Sequence, residues 1–132
     1  MARADMKLLE RVYHRAWRDS DFEGAVSALD DDFEWMVPGH IEGRVRRGPE
    51  AVLDFYRQWI EPWEDFEFDY ELREGGPDRV LAICDMRGRG RDSGVETEMQ
   101  LAQVWTFRDG RPVRMVAYTD IGKALAEAGL SE

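Results

Sequence analysis

Four side chains in this 132-residue chain stand out as placed to move a proton or hold a reacting oxygen, and they lie far apart in sequence. Asp120 ends an alternating apolar run, His40 follows Pro38-Gly39, Tyr13 falls among apolar residues at helical spacing, and Gln103 is the lone amide of an otherwise apolar row. An imidazole titrates near neutral pH and suits a general base. A carboxylate serves as acid or base where its surroundings adjust it. A phenol and an amide donate hydrogen bonds, the means by which a developing oxyanion is held. Each residue also has a plain structural use. Asp120 precedes a short helical stretch that it would cap. His40, with Glu42 beside it, reads equally as a solvated loop residue. Tyr13 would bury a structural hydroxyl, and Gln103 either satisfies backbone groups or meets a ligand.

Five large aromatics, Trp35, Tyr56, Trp59, Trp63 and Trp105, stand out in so short a chain. Singly each is core packing; together they would wall a cavity for a flat apolar molecule, with Met99 and Thr119 completing its lining. His14, His40 and Cys84 lack ligand-like spacing, so neither a metal nor another cofactor is expected. The glycines from Gly88 to Gly94 lack the Gly-Lys-Ser/Thr ending of a phosphate loop. No Ser-His-Asp or Cys-His arrangement stands out. Cys84, with no second cysteine to pair with, reads as a small buried hydrophobe.

Composition narrows the partners. Eighteen basic against 28 acidic residues give a net charge of -10, which repels nucleic-acid backbones and anionic membranes. The basic cluster Arg44, Arg46 and Arg47 is too short to reverse that. No apolar run approaches membrane-spanning length, and MARADMKLLER lacks the apolar heart of a signal peptide. A soluble, cytoplasmic protein is the expectation.

The elements that would position these residues read as one domain over 1–132. Met6, Leu9, Tyr13, Ala16 and Trp17 predict a helix over 4–18. Ser20 with Glu23 suggests a capping box for a second helix, and Phe33 to Val37 a short strand stopped by Pro38-Gly39. His40 to Gly48 reads as a loop or loose hairpin. Pro49 opens a helix with Val52, Phe55, Tyr56, Trp59 and Ile60 on one side. Strands follow at 66–72 and 80–87, with turns at Gly75–Asp78 and Gly88–Gly94. Two long strands from Val95 to Asp120 then meet at Asp109-Gly110, a strong hairpin signal. A helix over 122–128 closes on Gly129.

Strand parity divides the side chains. Val80, Ala82, Cys84 and Met86 share a face with Met99, Leu101, Gln103, Trp105 and Phe107, and with Val113, Met115, Ala117 and Thr119; this face should be buried. The other mixes Asp85, Arg87, Glu98, Gln100, Arg114 and Tyr118 with Leu81, Ile83, Ala102, Val104 and Val116. That mixture suggests a homodimer formed through the outer sheet face. The class is α+β.

The segments WRDSDFEGAVSALDDDFEWMVPG, GPEAVLDFYRQW and QVWTFRDGRPVRMVAYTD give the chain a resemblance to the SnoaL-like branch of the nuclear-transport-factor-2-like superfamily, which includes ketosteroid isomerases and polyketide cyclases. The resemblance implies a cone-shaped α+β barrel, a curved antiparallel sheet wrapped around N-terminal helices, with an internal pocket for a hydrophobic small molecule, and a dimer. By likeness to the isomerases, Tyr13 falls at the donor tyrosine and Gln103 at the protonated-acid donor, while Val37 stands where the base carboxylate would be. By likeness to the cyclases, Asp120 is the candidate acid-base carboxylate. Asp85 and Arg87 invite comparison with the epoxide hydrolases of the superfamily, in reverse order. Two functions are therefore expected as alternatives. One is isomerase, cyclase or dehydratase chemistry on a polyketide- or steroid-like carbonyl compound, with Asp120 or His40 moving the proton. The other is a non-catalytic module that binds a ligand or a protein.

Overall fold

The computed structural model describes residues 2–36, 45–76 and 78–129. Helix α1 (Ala2–Tyr13) buries Leu9, Val12 and Tyr13 on the face its apolar spacing selects. The next five residues, His14–Arg18, form a π turn, in which the Asp19 N–H reaches back to the His14 carbonyl at 3.1 Å. Such wide turns occur mostly singly, often beside functional positions. Helix α2 (Phe22–Val26) is capped by Asp21, whose carboxylate accepts from the Gly24 N–H at 2.9 Å. Ser20, the expected cap, turns the chain at φ 54° instead. A side chain at position 24 would collide with the Asp21 carboxylate, so glycine there admits the cap.

The sheet has six strands: β1 (Glu34–Met36), β2 (Val45–Arg47), β3 (Trp63–Glu74), β4 (Arg79–Gly90), β5 (Glu96–Arg108) and β6 (Arg111–Tyr118). Their order is β2-β1-β6-β5-β4-β3. The curved sheet is open, not closed into the expected barrel. It is also not wholly antiparallel: β1 runs parallel to β6, with Trp35 opposite Met115. β2 falls within the stretch read as loop or loose hairpin; its Val-Arg-Arg lacks apolar alternation, and pairing with β1 makes it a strand. β4 likewise runs on through Gly88 and Gly90, which had read as a turn. The Trp63 indole lies over Gly88 so closely that a Cβ there would sit 2.7 Å from its ring. The Asp109-Gly110 turn is as expected, with φ 54° and 79°.

Helix α3 (Pro49–Ile60) joins α1 and α2 against one face of the sheet. That face presents Val80, Ala82, Cys84, Trp105, Phe107, Met115 and Ala117, as parity requires. A bulge at Val113 breaks the alternation of β6, however, so that Pro112 stands opposite Phe107 and is buried while Val113 is only half-buried. Helix α4 (Ile121–Glu127) packs on the opposite face, where Ala124, Leu125 and Ala128 cover Leu81, Ala102 and Val104. These are among the residues that suggested a homodimer surface; the chain's own last helix buries them. A clasp holds α4 down, with the Gly76 N–H donating to the Ala128 carbonyl at 2.7 Å and the Arg79 guanidinium to the Glu127 carbonyl. No helix among the described residues is long and apolar enough to cross a membrane.

A buried hydrogen-bond relay as the candidate functional site

Two residues from opposite ends of the sequence meet at the centre of the inner layer. α1 carries Tyr13 to the middle of the sheet, where its hydroxyl donates to the side-chain carbonyl of Gln103 on β5. The indole N–H of Trp105, two residues along the same strand face, donates to that hydroxyl at 2.9 Å. The result is a chain of polar groups, Trp105 to Tyr13 to Gln103, inside an apolar core. Tyr13 is 1% exposed and Trp105 fully buried, so each bond replaces one that water would otherwise supply. The Tyr13 ring stacks on Tyr70 at 4.7 Å and on Phe68 at 5.7 Å, and meets Trp105 edge-on at 6.0 Å.

Electrostatics fixes what these groups do. Burial pushes the Tyr13 hydroxyl well above its ordinary range, with Cys84 and Tyr56 adding to the effect. Burial likewise raises Tyr56, and lifts the Cys84 thiol to about 12. All three stay protonated at neutral pH. They donate hydrogen bonds but take up no proton. Nor is the Tyr13 proton idle, since it is already given to Gln103. The free donor of the relay is the Gln103 amide NH2, which has no bond among the described residues.

The surroundings of Gln103 leave it room. In register its neighbours are Ala82 on β4 and Ala117 on β6, two small side chains, whereas the adjoining row holds Val80, Trp105, Met115 and, on β1, Trp35. Gln103 and Ala117 keep 8% and 6% of their surface accessible, while Ala82, Trp105 and Met115 keep none. The side chains in register with Gln103 are therefore small, and a little of its surface and of Ala117's stays accessible. Trp35 and Trp17 each bury an indole N–H that finds no acceptor among the described residues. Buried donors of this kind ordinarily have partners.

The other expected site residues separate. Trp35 and Tyr56 line the inner layer in edge-to-face contact at 5.4 Å. Trp59 and Trp63 are half-buried further along the aromatic row, their ring centroids 6.4 Å apart. Met99 is half-buried opposite Met86. Thr119 is exposed past the end of β6. Asp120 is also exposed, and its carboxylate accepts from the Lys123 N–H at 3.2 Å as the N-cap of α4, on the other side of the sheet from Tyr13. His40, Glu42 and Val37 lie outside the described residues. Asp85 and Arg87 point outward, Asp85 accepting from Gln100 at 2.9 Å and Arg87 standing 3.7 Å from Glu67. One buried charged residue escaped the sequence reading: Asp5, 5% exposed, four residues before Leu9 on the buried side of α1. The spacing 5, 9, 12, 13, 16 puts it on the same buried face as Leu9, Val12, Tyr13 and Ala16, but as a charged residue it carries no apolar signal.

Around the relay the interior is a continuous lattice of rings. Phe33, Trp35, Phe55 and Tyr56 join it on one side, and Trp17, Phe66 and Phe68 on the other. Three open concavities are evident among the described residues, of about 710, 520 and 540 Å3. The first two lie over the charged ends of β3, β4 and β5, the third beside α1. Tyr13 and Gln103 border none of these three. Among the described residues no group of His, Cys, Asp and Glu is arranged to hold a metal.

With this geometry in hand, comparison with known proteins places the chain. No match was found among curated protein sequences. Among solved structures it is similar to an NTF2-like protein of unknown function from Burkholderia pseudomallei (21% identity, TM-score 0.76, covering 95% of this chain and 97% of that one). It is similar also to TerC, co-crystallised with polyporic acid (24%, 0.75, 95% and 97%). A candidate SnoaL-like polyketide cyclase from Jannaschia sp. CCS1 shares 15% identity at a TM-score of 0.78, covering 100% and 96%. These likenesses concern the fold. Residues 9–115 match the sequence profile of the SnoaL-like domain, and the chain belongs to that family.

Proposed function

We propose that this SnoaL-like domain binds a flat, apolar small molecule bearing a carbonyl oxygen, seated over Ala117 and Gln103. The observation that carries the reading is the divided role of the Gln103 amide. Its oxygen accepts from Tyr13, and its NH2 group would donate to a ligand seated over the small side chain of Ala117. A ligand carbonyl would accept there, and the indole N–H of Trp35 is a second donor without an acceptor among the described residues. Aromatic walls favour a planar apolar body. The co-crystal of the related TerC with polyporic acid lends support to an organic ligand in this fold.

Binding, not proton transfer, is the primary reading, because the described groups around the relay are all held protonated. A thermal-shift screen against aromatic polyketides and steroids tests it. A ligand at a hundredfold its Kd stabilises by about 2.7 kcal/mol. That stabilisation should disappear in Gln103→Leu and in Ala117→Leu, which fills the niche. Stabilisation that survives both changes removes the proposed site.

The second reading is an isomerase, cyclase or dehydratase acting on a polyketide- or steroid-like carbonyl compound, favoured by the likeness to a candidate polyketide cyclase. It requires a base. Asp120 is engaged as a helix cap, so His40 is the residue to test. Turnover of a ligand found in the screen, lost in His40→Ala while binding persists, would establish catalysis.

The assembly we propose is a homodimer through the part of the outer sheet face that α4 leaves open, around Asp85, Arg87, Gln100 and Arg114. Acidic and basic groups alternate there and suit a self-complementary contact. Sedimentation velocity of the wild type and of Arg87→Glu tests it, and a monomeric wild type refutes it.

A further inference from the structure

One charge feature of the molecule has the opposite sign to its net charge. Lys7, Arg11 and Arg15 follow one another at four-residue intervals along α1 and the π turn, and Arg18 continues the line; all four are exposed. Because they are spaced by helical turns, no run of basic letters marks them in the sequence. Like charges one turn apart repel and weaken a helix. Lys7, Arg11 and Arg18 have no ion pair among the described residues to offset this. Arg15 donates to the Gly24 carbonyl at 3.3 Å. A concavity of about 540 Å3 runs beside the first three of them, bordered by Lys7, Arg11, Arg15, His14 and Tyr70 of the edge strand β3, and by two acidic residues, Glu10 and Asp19, the latter 3.6 Å from the His14 imidazole. The cationic side chains thus have a groove next to them and few internal partners.

We propose that this line is the docking surface for an extended acidic segment of a partner protein, with carboxylates at every second position. The argument is one of matching repeats. Lys7 and Arg11, four apart on α1, are separated by about 6 Å along the helix axis. Alternate side chains of an extended chain recur every ~6.7 Å on one face. Continued through the π turn to Arg15 and Arg18, the line would let three or four acidic side chains each meet a cation, with an aromatic surface offered by Tyr70. A duplex nucleic acid fits less well, because the rest of the molecule is strongly acidic and would repel its second strand. A second copy of the chain through β3 fits less well too, since Glu67, Asp69 and Glu71 would face their own equivalents.

The test uses the full chain and two fluorescein-labelled peptides of the same composition, one alternating Glu and Thr eight residues long, the other with the four Glu in a block. Anisotropy at low salt should show the alternating peptide binding at least fivefold more tightly. The double variant Lys7→Gln/Arg11→Gln, which leaves the Arg15 contact intact and keeps good helix formers, should lose at least tenfold of that affinity. It should also melt at the same or a higher temperature, because a repulsion has been removed. Equal binding of the two peptides, unchanged affinity in the variant, or equally tight binding of a DNA duplex would each overturn the proposal. A variant that melts lower would show that the cations serve the fold, and would overturn it as well.

Discussion

The two faces of the central sheet are built from alternate residues of the same strands, yet they solve different problems. The inner face is bulky and aromatic, and gathers Trp105, Phe107 and Met115 under three helices. The outer face at the same strand ends is small, with Ala102, Val104 and Leu81 meeting Ala124, Leu125 and Ala128 of one seven-residue helix. Large rings need many neighbours and leave irregular gaps, and polar tips among them must find partners. Small side chains let a helix lie close with little to satisfy. The relay of Trp105, Tyr13 and Gln103 therefore belongs to the inner face, and Asp120 serves only the outer one. The buried relay and the helix cap are separated by the thickness of a sheet.

The largest way to break this contrast is at its centre. Trp105→Ala removes the largest fully buried side chain and one member of the relay, and should destabilise by about 3–5 kcal/mol in denaturant unfolding. Next is pH. Cys84 is held to about 12 against an ordinary 9.0, and Tyr13 and Tyr56 are raised above 10.0. The unfolded chain releases these protons first, so their contribution is complete below pH ~9 and falls as pH rises from there toward ~12. Each group takes away up to about 1.4 kcal/mol per pH unit. Melting temperature should therefore drop steeply above pH 9, and less so in Tyr56→Phe. Tyr13→Phe should cost roughly 1–3 kcal/mol by stranding the Trp105 N–H and the Gln103 carbonyl. Combined with Gln103→Leu the loss should be less than additive, as for groups in one network. On the outer side, Asp120→Ala should cost about 1 kcal/mol, the value of a helix cap, and leave ligand-induced stabilisation unchanged. An Asp120→Ala variant that kept its stability but lost ligand response would collapse the distinction between the faces.

Much of this was legible in the amino-acid order. Alternation along β4, β5 and β6 told inside from outside, and Asp-Gly placed the long hairpin, because both signals are local. Gln103 stood out as a polar residue in an apolar row, but its partner is the Tyr13 hydroxyl and not the backbone groups that the row suggested. Three features resisted. The parallel pairing of β1 with β6 joins segments some 80 residues apart, and no local pattern encodes it. The destination of α4 was hidden because its Ala-rich face is weakly apolar, so the residues it covers looked like a surface awaiting a second subunit. The open edge at β3 was likewise invisible, since strand alternation carries no information about whether a sheet closes.

The pairing of the first strand with the last has a consequence for how the molecule is made. Tyr13 finds its hydrogen-bond partners 90 and 92 residues later, and β1 waits for β6. During synthesis the N-terminal helices emerge with Trp17, Phe22, Phe33 and Trp35 uncovered until the C-terminal hairpin leaves the ribosome. Truncated nascent chains should therefore be sticky and chaperone-bound, and the native state should arrive abruptly once residue 118 is free.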